Sequence, residues 1–324
     1  MVPPNKIVGK LSFRVNSYLA LGMGILIIGF SAIFIRQANA PGTITVFYRM
    51  AIGSLVMTLP FVLHLRTQKR RLPLQGVLIA IFGGACLAVD LALWSTGIVM
   101  SGAASPTLMA NTAPLWVGLG ALLLFREHQS IQFWIGLSVT LVGVIVVMGK
   151  DLLHSINFGV GSSLGLLAAI FYGAYLLVCQ HGRNNLSTLT YFWLTTFSAA
   201  ITLLILNIIL QRPFTGYSMS TYLNFLLQGA VVQVFGWISI NYAQGHLPAS
   251  IVAPTLLAQP ILTALFAWLL LGEQFTMWHV VGGAVVISGI YTVHRSRHIV
   301  PSFLFDSQIV LDRTEFTDQS DQRF

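Results

Sequence analysis

The stretch TITVFYRMAIGSLVMTLPF, residues 43–61, is apolar except for one arginine, Arg49. A guanidinium keeps its charge near neutral pH and presents planar N–H donors that match carboxylate or phosphate groups. A charge in the middle of a bilayer costs about 3 kcal/mol on insertion scales, so such a residue usually faces a polar interior and has a partner. Arg49 is therefore the first candidate for binding an anionic group of a substrate.

A second charge, Asp90, interrupts the apolar run that contains DLALW. An α-helix rises about 1.5 Å per residue, so Arg49 lies roughly 9 Å and Asp90 roughly 14 Å below the predicted outer face of the membrane. We therefore predict that the two side chains are partners, directly or through water. Two interpretations stay open. The pair locks two helices together, or it borders a cavity in which Arg49 attracts the substrate and Asp90 exchanges a proton.

Two prolines, Pro114 and Pro260, fall in the middle of apolar segments. Each removes one helical hydrogen bond and frees the carbonyl group four residues earlier. Within a membrane such a carbonyl is tolerated where protein or a water-filled cavity satisfies it. Asn111 and Gln259 lie beside these predicted helix breaks. We expect them either to bind substrate in a cavity or to donate to the freed carbonyl groups.

Aromatic and amide side chains on two further segments complete the candidate site. Trp94, Trp237 and Asn241 lie on spans that correspond in an internal repeat described below. Aromatic walls with a few polar groups suit a small amphipathic solute. Helix packing explains each residue equally well, and both interpretations stay open.

The composition defines the class of protein in which these residues act. Of 324 residues, 56% are hydrophobic and 8% are charged, and the mean hydropathy is +0.80. Apolar runs of about 20 residues recur from residue 18 to residue 294, which indicates an all-α integral membrane protein and excludes a soluble one. The eight histidines show no metal-binding spacing, so we expect no metal and no cofactor. The basic residues behind the net charge of +8 cluster at the ends of apolar runs, where they orient helices, so we expect no nucleic-acid partner.

Ten membrane spans are predicted. They lie near residues 18–36, 43–64, 74–99, 104–125, 131–149, 159–181, 188–210, 221–245, 249–271 and 276–294. With a cytoplasmic N-terminus, the inner segments hold eleven basic residues and the outer loops three, which are Arg36, Lys150 and Arg212. The positive-inside rule then places residues 1–17 and the tail of residues 299–324 in the cytoplasm. The tail is acidic and has little apolar periodicity, so we expect it to be disordered. The predicted location is a plasma (inner) membrane.

The chain contains an internal repeat. A shift of 146 residues aligns residues 104–144 with 250–290 and matches nine of the 41 positions, including Pro114 with Pro260 and two glycine pairs. Five spans separate equivalent positions, and an odd number reverses orientation. The two halves, residues 18–149 and 159–294, are therefore predicted to be inverted in the membrane, an arrangement typical of secondary transporters.

The two halves share the pattern P-x4-L-x-A-x-L-L-x2-E-x8-G, and the first half contains GFSAIFIR, FYR and DLALW. With these motifs, residues 18–294 resemble the EamA-type transporters of the drug/metabolite transporter superfamily. The resemblance implies ten helices in two inverted five-helix repeats with both termini cytoplasmic. It also implies transport of small metabolites, and it leaves the substrate open.

We therefore predict a non-enzymatic secondary transporter that exports small polar metabolites such as amino acids by alternating access. Its predicted partners are the substrate, the lipid bilayer and, as a candidate, a second copy of the chain. Proton coupling through Asp90 is a further hypothesis. The alternatives are an integral-membrane enzyme that acts on lipids and a membrane scaffold that does not transport.

Overall fold

The computed structural model describes residues 4–31, 34, 38–67, 72–101, 104–148, 159–272 and 274–296. All regular secondary structure in these ranges is helical, as the composition predicts. Three features of the sequence analysis lie outside the described ranges: Arg36, Lys150 and the tail of residues 299–324.

We number the helices in chain order and give segments of one interrupted helix the suffixes a and b. They are α1 Pro4–Gly29, α2 Gly42–Thr67, α3 Leu74–Ser101, α4a Ala104–Ala110, α4b Ala113–Phe125, α5 Ile131–Val147, α6 Val160–Gly182, α7 Thr188–Ile209, α8a Met219–Leu227, the π-helical segment Gln228–Trp237, α8b Ile238–Gln244, α9a Ala249–Leu256, α9b Gln259–Leu271 and α10 Met277–Ser296.

Most predicted spans agree with these bounds within a few residues. Eight helices, α2, α3, α4, α6, α7, α8, α9 and α10, are long and apolar enough to cross a membrane. The apolar parts of α1, Asn16–Gly29, and of α5 are shorter. The chain is therefore a multi-pass integral membrane protein with at least eight helices suited to crossing the bilayer.

The first helix differs from the prediction. It begins at Pro4 and ends at Gly29, whereas the sequence predicts a span over residues 18–36. Proline suits the first turn of a helix because its missing N–H would have no helical partner there. The helix therefore starts within the segment that hydropathy assigns to the N-terminal tail.

The fourth and ninth helices are interrupted at the same place in the repeat. The helix α4 breaks at Asn111 and Thr112, and α9 breaks at Leu257 and Ala258, exactly one repeat later. Pro114 and Pro260 stand in the first turn of the segments that follow. Both prolines thus lie where a missing N–H is tolerated, and the break falls just before each of them.

The second segments of these helices also end alike. Arg126 (φ 55°) and Gly272 (φ 67°) are both left-handed, and the N–H of each donates to the carbonyl of Ala121 and Ala267 respectively. A left-handed residue that closes a helix in this way is a common C-terminal cap. Ser130 caps the N-terminus of α5, because its side-chain oxygen accepts a hydrogen bond from the N–H of Phe133.

The packing of the helices is symmetric between the halves. The helix α5 packs on α10 and α2 on α7, so these equivalent helices contact each other. Other contacts occur as equivalent pairs: α3 with α6 and α8 with α1, α3 with α7 and α8 with α2, and α4 with α6 and α9 with α1. This pattern is that of two repeats related by a pseudo-two-fold axis.

Four glycines at the contact of α5 and α10 show the direction of the two helices. A Cβ at Gly136 would lie 2.9 Å from the carbonyl oxygen of Gly289, and a Cβ at Gly143 would lie 3.0 Å from that of Gly282. The helices are therefore antiparallel and approach through backbone, as small residues allow in membranes. Because α5 and α10 are repeat equivalents, the two repeats are inverted. We call these four residues the glycine seam.

The main core lies among α1, α2, α3, α6, α7 and α8, and its large fully buried side chains include Tyr175, Tyr191 and Phe192. A smaller cluster around Phe133 and Val286 joins α5 to α10. Cys86 and Cys179 are both buried and free. The candidate site residues are thus carried by the helices of the main core and by the two broken helices.

Candidate functional site

Arg49 lies on α2 with only 5% of its surface exposed, inside the main core. Its Nε donates a hydrogen bond of 3.0 Å to Oε1 of Gln233 in the π-helical segment. The Nε2 of Gln233 donates in turn to Oγ1 of Thr196 on α7, at 3.3 Å. The buried cation is therefore held by a neutral amide that is itself positioned from a third helix.

The predicted partner of Arg49, Asp90, is also buried and lies on α3. The two side chains interact electrostatically. Within the described residues, however, no salt bridge joins them directly, and the hydrogen bond of Arg49 goes to Gln233 instead. The direct form of the predicted pair is thus not formed in this conformation, and the pair bridged by water stays a prediction.

The guanidinium also lies above an aromatic wall. Cζ of Arg49 is 5.9 Å from the ring centroid of Trp237, a distance that permits a cation–π interaction. Tyr172 and Tyr175 of α6 stand edge-on to this tryptophan, with centroid distances of 6.1 and 5.9 Å. Tyr172 is close enough to both Arg49 and Asp90 to interact with their charges. We call Arg49, Asp90, Tyr172, Gln233 and Trp237 the central cluster.

A small cavity lies between the two helix breaks. Its volume is about 30 Å³, which is room for one or two water molecules. Three predicted residues, Asn111, Pro114 and Gln259, line it together with Tyr172. Tyr172 thus belongs both to the lining of this cavity and to the central cluster, where it stands edge-on to Trp237. Pro260 starts the helix beyond the break and is not part of this lining.

Two N–H donors in this region are buried without a partner. They are Nδ2 of Asn111, at the cavity, and Nε1 of Trp237, in the central cluster. Gln259, the other predicted amide, donates from Nε2 to the carbonyl oxygen of Ile28 on α1, at 3.4 Å. A buried donor without an acceptor is costly, so unpaired donors mark a place where a water or ligand oxygen is expected.

Asn241 and Trp94 use their polar atoms within the protein. Nδ2 of Asn241 donates to the hydroxyl of Tyr175 at 3.2 Å, and its Oδ1 accepts from Sγ of Cys179 at 3.2 Å. Nε1 of Trp94 donates to Oγ1 of Thr107 at 3.1 Å and so ties α3 to α4a. Asn241 therefore positions Tyr175 behind Trp237, while Trp94 lies on the side of α3 that faces α4.

The sequence analysis missed Gln233, Tyr172 and Thr196. A signal for Gln233 exists in α8, where the buried polar residues Asn224, Gln228, Gln233 and Asn241 follow one another at intervals of four, five and eight residues. A gap of five residues does not fit one face of an α-helix, but it matches the i to i+5 hydrogen bonding of a π-helix. The structure is π-helical there, over Gln228–Trp237.

Comparison with known proteins agrees with this architecture. The sequence profile of the EamA-like transporter family matches residues 16–149 and again residues 159–295. A crystal structure of 15% sequence identity superposes with a TM-score of 0.72 over 87% of this chain and 97% of its own, which shows a shared fold.

Two similar proteins are transporters. The pseudopaline exporter CntI of Pseudomonas aeruginosa is 25% identical over 268 residues, covering 81% of this chain and 90% of its own length. The uncharacterized transporter YdfC of Bacillus subtilis is 25% identical over 246 residues, covering 75% and 78%. Both similarities extend across the two halves of the fold.

Proposed function

The chain belongs to the EamA-like transporter family, and from that premise we propose that it is a secondary transporter that exports small polar metabolites such as amino acids. Its two inverted repeats would alternate access to a site between them, with the central cluster and the cavity at the helix breaks as that site. Secondary transporters with inverted repeats bind their substrates near the midplane, where interrupted helices meet.

The observation that carries the proposal is a buried guanidinium connected by Tyr172 to a cavity at two helix breaks. A structural cation could be replaced by an apolar residue without loss, whereas a buried cation within a membrane usually has a functional role. The cavity of this conformation has room for one or two water molecules and is too small for an amino acid. We therefore assign it to an occluded state, which rocking of the two halves would enlarge.

The unpaired donors support a substrate with a carboxylate. Arg49, Asn111 and Trp237 all present N–H groups, and such groups bind anionic oxygens more strongly than neutral ones. The carboxyl group of Asp90 lies on the opposite helix, where it would receive a substrate ammonium group. Two opposite charges at two ends of one site fit a zwitterionic amino acid.

Direction and coupling are separate parts of the proposal. Export is supported by the similarity to the pseudopaline exporter of Pseudomonas aeruginosa, whose substrate is not assigned to this chain. Proton coupling is assigned to Asp90, because a buried carboxylate without a direct cationic partner can take up a proton during the cycle. Without that step, transport would be facilitative.

The proposed topology has ten crossings, including the shorter α1 and α5, with both termini in the cytoplasm of an inner membrane. The excess of basic residues in the predicted inner segments supports it. Reporter fusions after residue 17 and after residue 296 test this topology. A reporter active on opposite faces at the two places would contradict it.

The function is tested with purified protein in proteoliposomes. Because proton-coupled export exchanges substrate for protons, uptake of radiolabelled amino acids, nucleosides and sugars is measured with and without an outward proton gradient, in which the vesicle interior is acidic. We expect saturable uptake of at least one amino acid, accelerated by the gradient. Uptake of nucleosides or sugars alone would contradict the proposed substrate class.

The same preparation separates the two alternatives. A lipid-acting enzyme would leave all solutes outside the vesicles and would change the lipid composition, which mass spectrometry of the vesicle lipids detects. A scaffold would leave both the solutes and the lipids unchanged. Either result would overturn the proposal.

A further inference from the structure

The buried cation of the central cluster has a neutral partner. Arg49 donates from Nε to Oε1 of Gln233, although the carboxylate of Asp90 lies within electrostatic reach. Gln233 is 1% exposed and its amide nitrogen is occupied by Thr196. Its amide is thereby oriented so that the oxygen, and not the nitrogen, meets the guanidinium.

The π-helical winding of α8 brings Gln233 to this place. The segment Gln228–Trp237 contacts α2 so closely that a Cβ at Gly53 would lie 2.7 Å from Cγ of Gln233. A Cβ at Gly229 would lie 2.5 Å from Cβ of Ile52 on the same helix. Glycines on both sides of the contact therefore let the wide π-helix approach the backbone of α2 beside Arg49.

The winding is specific to this helix and has a cost. The equivalent helix of the first repeat, α3, is α-helical throughout Leu74–Ser101. In α8 the π-helix extends over ten residues, although π-helices mostly occur as single turns, frequently at functional sites. Gln228, at the start of the segment, is fully buried with both amide atoms unpartnered. A helix selected only for stability would not keep this arrangement.

We propose that Gln233 is an internal ligand of Arg49 that the substrate displaces. The proposal rests on the proposed function, because it assumes a substrate with a carboxylate. In the empty site the amide oxygen occupies the place of one carboxylate oxygen and spares the guanidinium from being buried without an acceptor. A carboxylate displaces it because a charged acceptor binds a guanidinium more strongly than a neutral one.

Displacement has a consequence for affinity. Each binding event breaks the hydrogen bond between Arg49 and Gln233. Part of the free energy gained from the carboxylate therefore only offsets the loss of that hydrogen bond. The amide therefore weakens substrate binding and speeds substrate release. Removal of Gln233 should therefore lower KM, whereas removal of a residue that merely supports the site would raise it.

The test replaces Gln233 by methionine, which has similar length but no acceptor amide. Transport by Gln233→Met in proteoliposomes should show a KM about tenfold lower, in line with the loss of one competing charged hydrogen bond. The maximal rate should fall as well, because release becomes slower. An unchanged or higher KM would overturn the inference.

A second variant tests the same contact in the opposite direction. In Gln233→Glu a carboxylate replaces the amide and competes with the substrate on equal terms, so KM should rise at least about tenfold. This variant keeps the shape of the side chain, and it decides the question if the methionine variant does not fold. A KM equal to that of the unmodified chain would contradict the inference.

A matched control separates the contact from general effects. Gln228→Met changes an equally buried amide on the same π-helical segment. It should leave KM within about twofold, since Arg49 keeps its acceptor. A tenfold fall in this control would show that the effect is not specific to the contact. Absence of any amino-acid uptake by the unmodified chain would instead overturn the proposed function.

Discussion

The two broken helices, α4 and α9, are nearly identical in backbone, whereas the equivalent central helices, α3 and α8, are not. The breaks occur one repeat apart, and both second segments end in a left-handed residue. In contrast, α3 is a regular α-helix with Asp90, while α8 contains ten π-helical residues and has Gly236 at the equivalent position. The halves therefore keep the same backbone at the helix breaks and differ where polar side chains meet.

This difference has a physical reason. Packing and bending of two inverted halves require only backbone geometry, which small residues and prolines provide equally in both copies. An amino acid has different groups at its two ends and no two-fold axis. A site that binds it must therefore place different side chains on its two sides. The residues that differ between the halves are thus the candidates for substrate binding. Those that match are candidates for helix packing and bending.

The largest effect on transport is expected when the central cluster loses the positive charge of Arg49. Arg49→Ala removes all donors that would hold the substrate carboxylate, and we expect transport to fall by about a hundredfold or more. Because the protein core keeps its other contacts, the amount of protein in the membrane should change little. Initial rates of uptake in proteoliposomes and quantitative blots of membranes measure both quantities.

The matched control for that variant is Arg66→Ala, which removes an exposed arginine at the end of the same helix. It should leave transport within about twofold, as expected for a surface charge. Full transport by Arg49→Ala would show that this arginine only packs the helices. It would contradict the inference that the residues that differ between the halves bind the substrate.

The next largest effect concerns the symmetric glycine seam. Valine at Gly136 or at Gly282 would meet the backbone of the opposite helix, and overpacking of this kind costs about 1–3 kcal/mol. Because these two glycines lie one repeat apart and occupy equivalent places, the two variants should lower the melting temperature in detergent by similar amounts. Differential scanning fluorimetry compares them.

Gly22→Val is the control for the seam, because Gly22 is exposed on α1 and nothing lies within 4 Å of an added Cβ. It should melt at or above the temperature of the unmodified protein. Clearly unequal effects at Gly136 and Gly282 would show that the two sides of the seam differ in packing, and the symmetry would then be limited to the helix breaks.

A smaller effect on transport is expected when the carboxylate of Asp90 in the central cluster is replaced by an amide. Asp90→Asn keeps the shape of the side chain but can no longer take up or release a proton. Exchange of labelled for unlabelled substrate should persist at saturating substrate, with a KM raised about tenfold because the substrate ammonium group loses its charged acceptor. The acceleration by a gradient of about one pH unit, at most tenfold, should be lost. Counterflow and gradient-driven uptake are measured side by side. An unaltered response to the gradient would assign proton coupling elsewhere.

The smallest effect lies at the left-handed caps, where the repeats differ in residue type but not in backbone. Arg126 is exposed and adopts φ 55°, a conformation that glycine reaches without strain. Arg126→Gly should raise stability by about 1 kcal/mol, and Gly272→Ala should lower it by a similar amount. Thermal unfolding detects both shifts. Equal signs for the two variants would contradict the assignment of a common cap.

Much of the fold follows from the sequence because membrane helices show in hydropathy. The bounds of α2, α3, α7 and α9 agree with the predicted spans within about three residues, and the repeat predicts the inverted packing. The break in each half was also foreseeable, since Pro114 and Pro260 each remove a helical hydrogen bond. The start of α1 was not, because hydropathy does not distinguish a helix outside the bilayer from an irregular segment.

The site was predictable only in part. Charged residues in apolar runs are conspicuous, so Arg49 and Asp90 were identified from the sequence. Their contacts were not, because depth along two helices does not fix which faces meet. The amide of Gln233 reaches Arg49 through a π-helical winding, which α-helical periodicity does not anticipate. Tyr172 was missed because an aromatic residue in an apolar helix is usually a packing residue.

The glycine seam also bears on how two copies of one ancestral half can diverge. At Gly136 and Gly289, and again at Gly143 and Gly282, backbone meets backbone, so a larger residue in either copy is blocked by the other. Neither half can drift there independently, however far apart the remaining positions move. The two halves must therefore both keep small residues at the glycine seam. Other positions in each half can change and take on different roles in binding.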